Sequence, residues 1–309
     1  MEVIRIKQVD AFTRTPFSGN PAGVVLDADF LDTKTMQKIA MEMNLSETAF
    51  VLEPTHPDAD IRIRWFTPSQ EVNLCGHATI AAFHVLAEEG RFDLVVGEPQ
   101  SFVVETKSGN LIVDVEWLNH HPYIKFTLPI PKFYPYPGDI SQLCGSLGLA
   151  EVELSRKVKP MITDNGYCFV PITHFDSLKT IEPNRALLAG LDELYDLKGF
   201  AAVTMDTGDK DIDWHMRFFA PGLGVFEDAV TGSANGPMAA FLYLNGLVDT
   251  TKQFFEFKAS QGRFVNRTGY VDVLLQTDEN GIKEIQICGE AVTVMEANLF
   301  PDAGKARKF

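Results

Sequence analysis

Residues 75–90, CGHATIAAFHVLAEEG, and residues 231–246, TGSANGPMAAFLYLNG, decide how this chain folds. The first is apolar on nearly every side from Ile80 until Glu88 and stops at Gly90, the residue type that best tolerates the left-handed backbone just past a helix end. A helix without a polar face must be wrapped by other structure. The second stretch faces the first in an internal repeat. At one constant offset Asp58, Asp60, Arg64, Phe66 and Pro68 of DADIRIRWFTP pair with Asp211, Asp213, Arg217, Phe219 and Pro221 of DIDWHMRFFAP. The same offset pairs FVVETKSGN from Phe102 with FEFKASQGR from Phe255, and TAFVL after Glu47 with AAVTM after Phe200. The two helical stretches align between these anchors with a small slip, so the halves read as one ancestral unit used twice.

Outward from the helices, the pattern is that of strands that wrap rather than alternate. Met36, Ile39, Ala40 and Met43 recur at helical spacing behind Asp32 or Thr33 as N-cap. TAFVL and IRIRWF carry the β-branched and aromatic content of strands, VETKSGNLIVDVEW reads as a hairpin turning at Gly109–Asn110, and a second hairpin turns at Asn280–Gly281. Pro122, Pro129, Pro131, Pro135 and Pro137 favour extended chain and mark a boundary. The expected architecture is α+β, with domains at residues 1–122 and 123–309, each a central helix wrapped by a mostly antiparallel sheet.

The chain has 309 residues, is 45% hydrophobic and carries a formal net charge of −15, which disfavours nucleic acid and anionic membrane surfaces as partners. The opening EVIRIKQVDAF lacks the basic and apolar regions of a signal peptide, and no segment approaches the length of an apolar membrane span, so a cytoplasmic protein is expected. Cys75, Cys144, Cys168 and Cys288 show no C-x-x-C spacing, and adjacent His120 and His121 point apart on extended chain. No metal site is expected, and phosphate-loop, dinucleotide and nucleophile-elbow motifs are absent.

In both halves a polar loop (TPSQEVNLCGH, APGLGVFEDAVTGS) delivers a glycine, Gly76 or Gly232, onto the first turn of the buried helix. Unpaired backbone N–H groups and the helix dipole favour an anion there, and a glycine lets it approach closely. Two such ends facing each other would bind a carboxylate; the alternative is a pair of ordinary tight turns.

Four separated stretches, DAFTRTPFSGNPAGVVL (10–26), NLSETAFV (44–51), RWFTPSQEVNLCGHAT (64–79) and EDAVTGSAN (227–235), resemble the phenazine-biosynthesis PhzF family, within the diaminopimelate-epimerase-like superfamily. The resemblance runs from about residue 5 to about residue 300. It implies two pseudo-symmetric domains with the active site in the cleft between them, a homodimer, and no cofactor or metal. By matching motifs it implies Glu47 as the catalytic carboxylate, with His77, Asp228 and Ser233 as the other polar catalytic residues. Substrate binding falls to the amides around Gly76 and Gly232, with Cys75 beside them. The repeat sets Phe200 opposite Glu47, so the scaffold itself does not require the acid.

The implied reaction is isomerisation of a small carboxylate, Glu47 removing a C–H proton and returning it elsewhere on the molecule. The superfamily's epimerases use two cysteines, but Thr231 stands opposite Cys75, which disfavours a two-thiol racemisation. Two rival readings are a racemase or epimerase using Cys75 with a non-thiol partner, and a non-catalytic binder of small acids. His84, deep in the apolar helix, reads as a core histidine with its hydrogen bonds satisfied.

Overall fold

Each half of the chain builds its sheet around one long buried helix, and the same strand connectivity recurs in both. The structure, a computed structural model, describes residues 3–95 and 97–301. It divides into one unit of residues 1–126 and 289–309 and a second of residues 127–288.

In the first unit the order is β1 (Ile4–Ala11), β2 (Asn20–Val25), α1 (Thr33–Met43), β3 (Glu47–Leu52), β4 (Ile61–Phe66), β5 (Glu71–Val72), α2 (Gly76–Glu88), β6 (Gln100–Thr106), β7 (Gly109–Leu118) and β8 (His121–Leu128). The second runs β9 (Phe133–Pro135), α3 (Ile140–Leu147), β10 (Met161–Thr163), β11 (Tyr167–Ile172), α4 (Phe175–Lys179), α5 (Arg185–Tyr195), β12 (Gly199–Thr204), β13 (Trp214–Ala220), β14 (Val225–Asp228), α6 (Gly232–Leu244), β15 (Phe254–Gln261), β16 (Gly269–Asp278) and β17 (Gly281–Gly289). The last strand, β18 (Ala291–Leu299), returns to the first unit, where it pairs antiparallel with β1. Residues 289–301 therefore group with the first unit rather than with the half to which the sequence reading assigned them, because β18 pairs with the edge of β1 that β2 leaves open. The other division falls at Phe126–Thr127 rather than at residue 122.

The pairing pattern shows the duplication directly. In unit one β2 runs parallel to β3, β3 antiparallel to β4, β4 parallel to β6, and β6 antiparallel to β7. In unit two β11, β12, β13, β15 and β16 repeat that sequence of directions. The residues shared by the two halves make the same bonds. The amides of Asp60 and Asp213 donate to the Val103 and Lys258 carbonyls, and their carboxylates accept from the amides of those same residues. Arg64 and Arg217 each grip a carboxylate with two nitrogens, Glu71 and Glu227 respectively, and lie over the rings of Phe66 and Phe219. These arginines tie the short strands β5 and β14 to the sheet ahead of the helices that follow them.

Helix α2 is buried from His77 to Ala87 without interruption and packs on β1, β2, β3 and β18. Full burial of a side chain such as Ile80 or Phe83 contributes on the order of 2 kcal/mol each. Gly90, at φ 64, closes the helix as expected. Helix α1 begins where its spacing predicted, with the Asp32 carboxylate accepting from the Thr35 amide at 2.8 Å. The proline-rich boundary is extended, forming β8 and β9. Both hairpin turns lie slightly earlier than predicted: Thr106 pairs with Gly109 and Asp278 with Gly281, leaving Lys107–Ser108 and Glu279–Asn280 at the tips. Each glycine (φ 107 and 114) follows the turn rather than forming it, the pattern of a turn with negative φ closed by one glycine that can take positive φ.

Substitution of Arg217 by Leu is expected to lower stability by on the order of 3 kcal/mol, because it strands Glu227 and the Leu178 and Ile181 carbonyls that Arg217 also satisfies. Arg64→Leu, at a more exposed pair, is expected to cost about half as much. Urea denaturation of the two variants compares them.

Candidate active site

The first unit places Glu47, Ser46, Cys75 and His77 together through two adjoining elements. Glu47 opens β3, Cys75 sits at the N-cap of α2, and β2 beside β3 brings Pro21 against Ser46. His77 Nε2 lies 3.4 Å from Glu47 Oε2 and 3.2 Å from Ser46 Oγ, and its Nδ1 lies 3.4 Å from Cys75 Sγ. Ser46 Oγ in turn donates to the Pro21 carbonyl at 3.5 Å. Burial pushes the His77 imidazole down to a pKa of about 4, with a hydrogen bond to the Pro21 carbonyl pulling the other way. The ring is therefore neutral at physiological pH, and its approach to Glu47 is that of a neutral imidazole to a carboxyl, not an ion pair. Glu47 itself is only partly buried, so a ligand can reach the carboxyl while the imidazole behind it stays dry.

The second unit holds Asp228 and Ser233 at the start of α6. The Asp228 Oδ2 accepts from Thr231 Oγ1 at 2.6 Å, and Ser233 Oγ lies 3.0 Å from the Tyr167 hydroxyl. Behind them is a buried polar chain whose direction is fixed at one end. The Trp214 indole can only donate, and it donates to Asn235 Oδ1 at 2.8 Å. Asn235 must then present its NH2 to Gln261 Oε1 (2.8 Å), so the NH2 of Gln261 faces Thr231 Oγ1 and the Asp228 carbonyl (both 3.0 Å). The Thr231 hydroxyl proton is left for the Asp228 carboxylate. Every polar group in the chain has a defined role, which is what allows it to lie in the core.

Neither Cys75 nor Thr231 caps the helix it begins. Each side chain is turned to a neighbouring site residue, His77 or Asp228, so the first-turn amides around Gly76 and Gly232 are not taken up by the N-cap side chain. The structure thus brings Glu47, Cys75, Gly76 and His77 together in one unit and Asp228, Gly232 and Ser233 in the other. The sequence reading did not single out Ser46, Pro21, Tyr167, Asn235, Trp214 or Gln261. Ser46 adjoins Glu47 and Asn235 falls inside the EDAVTGSAN motif, but Tyr167, Trp214 and Gln261 arrive from distant strands with no local signal.

One atom from each of Glu47, Cys75 and His77 lies within 4.8 Å of the others, a set that could hold a borderline-soft cation. Spacing rules overlooked it because the acid comes from a different element. The closest approaches use opposite sides of the ring, Sγ at Nδ1 and the carboxylate at Nε2, so a single ion could not exploit both without turning the imidazole. His84 departs from expectation: its Nδ1 is buried with no hydrogen-bond partner, and burial lowers its pKa to about 4.

A sequence profile of the phenazine biosynthesis-like family (PhzC-PhzF) matches residues 9–297. A curated relative from Clostridium acetobutylicum, named an uncharacterized isomerase, is 35% identical over 94% of this chain and 96% of its own. The crystal structure of the Bacillus anthracis phenazine biosynthesis protein of the PhzF family superposes with a TM-score of 0.87 at 33% identity, covering 97% of this chain and all of that one (100%). A hydroxyproline epimerase from Agrobacterium vitis matches with a TM-score of 0.64 at 15% identity, over 97% of this chain and 93% of that one, a likeness of fold alone. With the repeated halves described above, these matches make the expected α+β, diaminopimelate-epimerase-like fold a finding.

The two buried histidines link stability to pH. Their folded pKa values of about 4 lie below the usual 6.5, so the unfolded chain binds more protons between those limits and stability falls as pH drops from about 6.5 to about 4. Asp192, raised by burial to about 6, opposes this over part of the range. Unfolding free energies from urea titrations between pH 7 and pH 4 are expected to fall less for His84→Leu than for the wild type, by on the order of 2 kcal/mol across the window.

Proposed function

The chain belongs to the phenazine biosynthesis-like PhzC-PhzF family, and on that premise we propose that it is an isomerase moving a proton within a small carboxylate substrate, with Glu47 as the group that takes and returns the proton. The observation that carries this is the pairing of a partly exposed Glu47 carboxyl with a buried, neutral His77 whose Nε2 lies 3.4 Å away. A neutral imidazole can donate a hydrogen bond to the carboxylate without neutralising it, so Glu47 remains a base until it abstracts a proton and an acid until it gives the proton back. No second titrating side chain has to change charge.

Asp228 and Ser233 hydrogen-bond polar groups of the substrate in this proposal. Asp228 is held by Thr231, and Ser233 is oriented by Tyr167. The amides at Gly76 and Gly232 suit the substrate carboxylate, since the N-cap side chains do not occupy them. The reaction needs no oxidant and no transferred group: one C–H bond breaks, another forms, and the electron pair shifts along the substrate between the two carbons. The buried cysteines fit work in a reducing compartment, the cytoplasm. The homodimer rests on the family resemblance. No helix among the described residues is long and apolar enough to cross a membrane.

NMR in D2O of a panel of small carboxylates, including dihydro-hydroxyanthranilate and free amino acids, tests the assignment with wild-type protein and Glu47→Gln. Isomerisation or deuterium uptake is expected with the wild type and is expected to fall at least ~100-fold in the variant, the scale of a lost general base. Activity that survives Glu47→Gln, or inversion at the α-carbon of an amino acid that depends on Cys75 instead, would overturn it.

A further inference from the structure

From the hydrogen-bond chain around His77 we infer that Cys75 is a positioning residue: its thiol donates to Nδ1 and so holds His77 in the tautomer that presents Nε2–H toward Glu47. The chain's direction is fixed at its far end. The Pro21 carbonyl has no proton to give and can only accept. Ser46 Oγ, 3.5 Å from that oxygen, can donate to it while accepting at 3.2 Å from His77 Nε2, and the Glu47 carboxylate, 3.4 Å from the same nitrogen, can only accept when ionised. Nε2 must then carry the ring proton. In a neutral imidazole the other nitrogen is a bare lone pair, so at Nδ1 the ring can only accept, and the atom 3.4 Å away is Cys75 Sγ. The donor is the thiol S–H.

Two further observations agree. Cys75 occupies the N-cap position of α2, where a side chain ordinarily accepts from the first-turn amides, yet it makes no such bond. Its counterpart Thr231 likewise leaves its own helix uncapped and spends its proton on a site residue, Asp228. In both units the N-cap side chain thus acts as a proton donor to the neighbouring polar group. The buried, neutral imidazole beside it offers no positive charge to stabilise a thiolate. A thiol committed to Nδ1 is a poor base, which removes Cys75 from the role that the superfamily's two-cysteine epimerases give to that place.

The catalytic meaning of this inference rests on the proton-shuttle reading of Glu47, but its test needs no substrate. Nitrogen-15 NMR of protein labelled at histidine, with His77 assigned by the loss of its signals in His77→Gln, reads each ring nitrogen directly. At neutral pH the wild type is expected to show a protonated Nε2 and an unprotonated Nδ1, the Nδ1 signal displaced from that of a free lone pair by the bond from sulfur. Cys75→Ala is expected to abolish the displacement and Cys75→Ser, which keeps a donor, to restore most of it. A proton on Nδ1 in the wild type, or an Nδ1 signal indifferent to Cys75→Ala, overturns the inference. The wild-type spectrum decides the direction even if a variant fails to fold. Failure to find isomerisation in D2O would leave this result standing, and a protonated Nδ1 would leave Glu47 untouched, so the two readings fail separately.

Discussion

A helix with no side to give to water is the constraint from which the rest of each unit follows. Helix α2 is buried along eleven consecutive residues, and α6 is nearly as enclosed. Such a helix is stable only if strands surround it, and its backbone ends are where its main-chain polar groups lack partners within the helix. The loops that lead into it must therefore be polar and tied down, and they are, by Arg64 on Glu71 in one unit and Arg217 on Glu227 in the other. The candidate site side chains lie at or beside these helix starts, where first-turn N–H groups have no partner within the helix.

The two helix starts use the same device for different ends. In each, an N-cap side chain turns from the helix to a neighbour: a thiol meets an imidazole in one and a hydroxyl meets a carboxylate in the other. Each is backed by a chain of hydrogen bonds anchored on a group that cannot reverse its role, a carbonyl at Pro21 and an indole N–H at Trp214. Anchors of that kind orient every rotatable amide and hydroxyl between them. Duplication supplied two copies of the frame, and the residues at the first and third helix-start positions then diverged, Cys75 and His77 against Thr231 and Ser233.

Much of this was legible in the sequence because it is local or repeated. The helices were visible from apolar composition and closing glycines, and the duplication from Asp60, Arg64 and their counterparts, which proved to make matching bonds. What was hidden depends on long-range pairing. Nothing around residue 291 announces that β18 will lie along β1, and nothing around Gln261 or Tyr167 announces a neighbour near residue 231. The hairpin tips were displaced because the glycine signal marks the residue after the turn, and His84 was misread because an apolar context says nothing about whether a ring nitrogen finds a partner.

The return of β18 also sets an order of events during synthesis. The second unit is one continuous stretch and can leave the ribosome whole, whereas the first is split around it. Until residues 291–299 emerge, β1 is paired only with β2 and its opposite edge is an open row of backbone donors and acceptors. The nascent chain thus carries an unsatisfied sheet edge until β18 has been made.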